Sequence, residues 1–151
     1  MDKLNLPIYN YKITNKEGKL FIMDSCRRKF VSLTPEEWVR QNFVHYLIDY
    51  KSFPAGRIAN EITVNLNGMK KRSDTVIFDA YGLPVVIVEY KAPSVKITQQ
   101  VFDQIVRYNM VLKVKYLIVS NGMRHYCCLI DYITGQYSFL PDIPDFSEIQ
   151  I

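Results

Sequence analysis

The chain is poor in the residues that special chemistries require. Its three cysteines, Cys26, Cys127 and Cys128, are odd in number and two are adjacent. That argues against a disulfide framework and fits a reducing cytoplasm. They lack zinc-ligand spacing, and the two histidines, His45 and His125, complete no metal set with them; buried or half-buried thiols are the reading that remains. Glycine supplies only six residues, and none belongs to a Gly-rich lysine loop that cradles phosphates, so no nucleotide is expected. No apolar run approaches the roughly 20 residues of a membrane span. Met1-Asp2-Lys3-Leu4-Asn5 lacks the charged-then-apolar layout of a signal peptide. Internal repeats and low-complexity segments are also missing. What is present is ordinary for a globular protein: 151 residues, 48% hydrophobic and 23% charged. That length suits one domain with a real core and is too short for two. A net charge of +4 is compatible with a polyanionic partner but does not demand one.

Two short β-branched runs organise the chain. Lys71-Arg72-Ser73-Asp74-Thr75-Val76-Ile77-Phe78 and Val85-Val86-Ile87-Val88-Glu89-Tyr90-Lys91 read as paired strands buried on at least one face. Residues i and i+2 of a strand share a face, so Glu89 and Lys91 point the same way. Antiparallel pairing brings the Asp74 carboxylate beside that of Glu89. Two acids and an ammonium at strand ends are expensive to bury without purpose. Together they suit a hard divalent cation, with the lysine free to act on a water or on developing charge.

The remaining elements follow from local signals. Residues 1–33 alternate around Asn15-Lys16-Glu17-Gly18 and suggest a small β-hairpin decorating the core. Arg27-Arg28-Lys29 follows it, either a solvated turn or a phosphate contact. Thr34-Pro35-Glu36-Glu37 starts a helix running to about Tyr50, with Trp38, Phe43, Val44, Leu47 and Ile48 as its apolar face. A strand from Arg57 to Leu66 is expected to place Ile58, Ile62, Val64 and Leu66 on one face, and Asn67-Gly68 is a tight hairpin turn. Thr98 caps a second helix, Gln99 to Leu112, with Val101, Ile105, Tyr108 and Leu112 as its stripe. Gln104 and Tyr108 stand at i and i+4 on it, hence on one face. Tyr116 to Val119 is a buried strand, and strand–helix–strand implies a parallel crossover. Arg124 to Ile130 and Ile133 to Leu140 form a last hairpin, and 141–151 a loose or packed-down tail. The expectation is a single α/β domain, mixed α+β. Its αβββαβ core spans about 34–122, with a mixed central sheet flanked by helices. Extra hairpins lie at 1–33 and 123–151.

In that order, Asp74 and Glu89-Tyr90-Lys91 resemble the PD-(D/E)xK nuclease superfamily and its restriction-endonuclease-like fold. More narrowly, Thr34–Gln41, Lys71–Asp74, Val88–Pro93 and Gln104-Ile105-Val106-Arg107-Tyr108 resemble the N-terminal nuclease domain of type I restriction enzyme R subunits, over about residues 30–122. The resemblance implies a Mg²⁺-dependent DNA endonuclease, with Mn²⁺ as a substitute, hydrolysing phosphodiester bonds. Asp74 and Glu89 would bind the metal, Lys91 would orient or activate water, and Gln104 and Tyr108 would position the site or contact DNA. A first-helix acid, Glu37 or Glu36, would join the site, although helix capping explains both equally well. Glu61 is a further acid near the site, with a surface role the simpler reading. Arg72, Arg27 and Arg28 are candidate DNA contacts. Ser73 replaces the proline of the superfamily's name, and the motor that follows this domain in R subunits has no counterpart here. A non-cleaving module binding DNA, or a partner in a restriction or defence complex, is therefore the alternative. A homodimer or restriction-system subunits are the expected partners, with no membrane.

Overall fold

In the computed structural model, which describes residues 1–149, the N-terminal stretch forms three strands rather than the two expected. These are β1 (Ile13–Lys16), β2 (Lys19–Asp24) and β3 (Lys29–Ser32), antiparallel in sequence order. The basic run does not end the hairpin. Arg28 turns the chain in the left-handed region, φ 55°, so that Lys29–Ser32 returns along β2.

Thr34 then starts the first helix. Its backbone is extended and its hydroxyl accepts from the Glu37 N–H at 3.1 Å, with Pro35 opening α1 (Pro35–Lys51). Only half a capping box forms: the Thr34 N–H donates to the Ser32 carbonyl, and the Glu37 carboxylate goes to arginines. Beyond α1 come β4 (Ile58–Leu66), β5 (Met69–Phe78) and β6 (Pro84–Tyr90) as an antiparallel meander. Asn67 and Gly68 both have positive φ, 54° and 74°, the requirement of a type I′ turn. The Asp79 carboxylate ties the next turn by accepting from the Tyr81 and Leu83 N–H groups at 2.8 and 3.0 Å. Thr98 caps α2 (Gln99–Asn109), accepting from the Val101 N–H, and a single 3-10 turn, Met110–Leu112, finishes it. The chain then enters β7 (Tyr116–Ser120), parallel to β6 as expected from strand–helix–strand.

The last hairpin, β8 (His125–Asp131) and β9 (Gln136–Phe139), is not an appendage. It continues the central sheet, whose order is β4-β5-β6-β7-β8-β9. The tail packs down through buried Ile143 and Ile149. No helix among the described residues is long and apolar enough to cross a membrane.

Strand parity divides the interior into two apolar layers. Val86, Val88 and Tyr90 of β6 meet Val39, Phe43 and Leu47 of α1. Ile87 joins Phe102, Ile105 and Val106 of α2. Each fully buried Val, Leu or Ile contributes about 1.5–3 kcal/mol, so the two layers dominate stability. Adjacent Cys127 and Cys128 go to opposite layers and are free, buried thiols.

Strand β4 departs from the expected single face. Ile58 packs in the α1 layer, whereas Val64, with Ile62 and Leu66, packs in the α2 layer. Glu61 lies between them in the left-handed region, φ 56°, and the ladder skips it. A non-glycine residue held there is strained by about 1–3 kcal/mol.

Candidate active site

The register of the meander decides where the acids go. Thr75 pairs with Val88, so Asp74 and Glu89 each stand one residue beyond, on the face that carries Val76 and Ile87 toward α2. The Tyr90 N–H donates to Asp74 Oδ2 at 2.9 Å, which locks the aspartate to the end of β6. Lys91 follows, its N–H on the Ser120 carbonyl of β7 at 2.9 Å. Asp74, Glu89 and Lys91 thus line one cavity of about 340 Å³. Its opposite wall is α2, through Gln104, Tyr108 and Asn109, with Val101 and Ile105 beneath. Six of the site candidates singled out in the sequence therefore converge: Glu36, Asp74, Glu89, Lys91, Gln104 and Tyr108.

The electrostatics of this cavity are uncompensated. Glu89 Oε1 is buried without a hydrogen-bond partner. Burial first, and the adjacent Asp74 carboxyl second, push the Glu89 carboxyl up to about 9, against weaker opposition from the Asn109 amide and Lys91. Asn109 is 2% exposed, and its Oδ1 also lacks a partner. The open oxygens belong to carboxyl and amide groups, the donors that hard divalent cations take. Among the described residues no three His, Cys, Asp or Glu side chains cluster closely enough to hold an ion by themselves. A pair of carboxylates fits Mg²⁺, which keeps several waters and uses one or two acids.

Not every candidate reaches this place. Glu36, not Glu37, stands on the cavity wall. Glu37 is 6% exposed and ion-paired to Arg27 and, at 3.4 Å, to Arg40. Arg27 is occupied by Asp24 and Glu37, so it is not a free phosphate contact. Arg28 is exposed at its left-handed turn, away from the cavity lining. The Arg72 guanidinium pairs with Glu61 at 2.7 Å, while its carbonyl accepts from the Tyr108 hydroxyl at 3.4 Å. Glu61 is not an isolated surface acid: Arg40 holds its other oxygen at 2.7 Å. Two contributors escaped the sequence reading. Lys71 lies over the Tyr108 ring, 4.4 Å from its centroid. Asn109 gave one faint signal, an amide in the buried stripe at i+4 from Ile105.

No curated protein matches the chain. A solved structure, a fragment classed as an HsdR subunit of a type I restriction enzyme from Vibrio vulnificus YJ016, is similar with a TM-score of 0.53 and 23% identity. The likeness, which is one of fold, covers 78% of this chain and 24% of that one, so the match spans about a quarter of that fragment's length. Residues 35–144 match the model of the type I restriction enzyme R protein N terminus, including the last hairpin that the sequence resemblance left out. The chain therefore belongs to the type I restriction enzyme R protein N-terminal (HSDR_N) family.

Proposed function

We propose that this domain is a Mg²⁺-dependent deoxyribonuclease of the R-subunit N-terminal type, hydrolysing DNA phosphodiester bonds. One observation carries the reading: Asp74, Glu89 and Lys91 meet on one cavity wall, with Glu89 Oε1 buried without a hydrogen-bond partner and a second carboxyl beside it. Asp74 and Glu89 are the residues that would hold the ion. When bound, such an ion neutralises phosphate charge and lowers the pKa of a coordinated water. Lys91 enters the same opening from two residues beyond Glu89. Its ammonium there orients the attacking water or takes up charge on a phosphate oxygen. Gln104 forms the facing wall and positions the substrate across it. Tyr108 keeps Lys71 and the Arg72 backbone beside the opening, where a cationic rim suits a phosphate backbone. Family membership makes restriction-system subunits, or a second copy of the chain, the expected partners.

The test is incubation with duplex and single-stranded DNA, with Mg²⁺, Mn²⁺ or EDTA. The expected result is metal-dependent product bearing 5′-phosphate and 3′-hydroxyl ends, abolished by Asp74→Ala, Glu89→Ala or Lys91→Ala with the circular dichroism melt retained. Cleavage that survives any of the three rejects the assignment. Binding without product in either ion would mean a non-cleaving DNA- or partner-binding module.

A further inference from the structure

We infer that Asn109 is a positioning residue of the carboxylate site, its side-chain amide holding the Glu89 carboxylate in the orientation that receives a divalent cation. The inference rests on the metal-site reading of Asp74 and Glu89 given above.

Folding alone gives no reason for an asparagine at this position. It closes α2 on the buried face, where Ile105, Val106 and Leu112 make an apolar layer. Asparagine is a mediocre helix former, and an amide in such a layer is a liability unless its hydrogen bonds are met. They are only partly met. One amide hydrogen goes back to the Ile105 carbonyl at 2.9 Å, and Oδ1 has no partner. The amide favours the charged form of the Glu89 carboxyl, whose Oε1 also lacks a partner. Both side chains line the same cavity, together with Asp74 and Lys91. A side-chain amide carries two N–H donors, so after Ile105 one remains for the glutamate. Two buried, unpartnered oxygens beside one opening are relieved by a proton on Glu89 or by an incoming donor or cation. Partners that orient a metal-binding carboxylate in this way change metal affinity about 10–100-fold when removed.

A near-isosteric replacement separates this role from a structural one. Asn109→Leu completes the apolar layer and deletes the donor. The expected result is an unchanged or higher melting temperature, with Mn²⁺ affinity by isothermal titration calorimetry about tenfold or more below wild type. Asn109→Ala, the second variant, should show the same loss of affinity should the leucine not be accommodated. Asn109→Ser, which keeps a hydroxyl donor, should recover part of it. A purely structural amide gives the reverse pattern, a lower melting temperature with Mn²⁺ affinity within twofold of wild type in the leucine and alanine variants. That pattern overturns the inference while leaving the site reading intact. A wild-type protein that binds no Mn²⁺ overturns the site reading, and this inference with it.

Discussion

Glu37 and Glu89 are glutamates set against the same sheet system, one on the α1 side and one facing α2, yet their surroundings are opposite. Glu37 belongs to a chain of ion pairs running Asp24–Arg27–Glu37–Arg40–Glu61–Arg72, three acids matched by three arginines. The Arg40 guanidinium also lies over the Tyr90 ring, 5.8 Å from its centroid. In this chain Glu61 is pulled down to about 2, by the Arg72 and then the Arg40 hydrogen bonds. Burial still leaves Glu37 above its ordinary value, although Arg40 and Arg27 pull it back. Glu89 has a second acid for its nearest charged neighbour and a single lysine against both. The difference is one of charge compensation. The arginine-rich cluster is balanced in charge and ties the N-terminal sheet to α1 and to the β4–β5 hairpin. The Asp74–Glu89 pair has one lysine against two acids, and burial and Asp74 hold Glu89 toward its protonated form.

Predictions that break or sharpen this contrast descend in size. Arg40→Met removes a buried partner, 7% exposed, from Glu37. It should cost about 3 kcal/mol in urea unfolding, because Glu37 and Glu61 each lose one of their two arginines; a loss below about 1 kcal/mol would show that the network is not balanced as described. Mn²⁺ at a hundred times its Kd should stabilise the wild-type protein by about 2.7 kcal/mol and leave Glu89→Gln unmoved. Equal shifts in both proteins would place the cation elsewhere.

The two acids should also respond oppositely to pH. In EDTA, Glu89→Gln should be more stable than wild type by about 1–3 kcal/mol at pH 8, since it removes an uncompensated buried group. A raised folded pKa means that wild-type stability is complete below the ordinary value of 4.5 and is lost as pH climbs toward about 9. The advantage of the glutamine should therefore open across that window and vanish beneath it. Glu61→Gln should do the reverse and less, because its side chain is 37% exposed and screened. A loss of about 0.5–1 kcal/mol is expected above pH 4.5, closing as pH falls toward 2. Matching pH profiles for the two variants would erase the distinction between the clusters.

The legible part of the fold is the part written in neighbouring residues. Thr34-Pro35, Asn67-Gly68 and Thr98 each mark an element end by short-range chemistry, and each stands where it was expected. The stripe of α2 was less legible. Ile105 and Leu112 are buried as expected, but Phe102 and Val106 join them while Tyr108 is 44% exposed, so the inward face is turned toward Phe102 and Val106. A single helical step turns a side chain by about 100°, and several apolar stripes were available on this helix. Strand β3 was hidden because a run of three basic residues looks like solvated turn, and its pairing depends on β2 lying alongside.

By itself the sequence determined the elements of the central αβββαβ order, the adjacency of Asp74 to Glu89 and the shared direction of Glu89 and Lys91, because these follow from local end signals, strand parity and one short turn. Only the tertiary structure decided that Glu36 faces the cavity while Glu37 faces Arg27 and Arg40, that Glu61 is gripped by two arginines, and that Asn109 is buried beside Glu89. Those outcomes depend on which side chains arrive from elements distant in the chain. Charge compensation is a property of the assembled neighbourhood, and no spacing along the sequence encodes it.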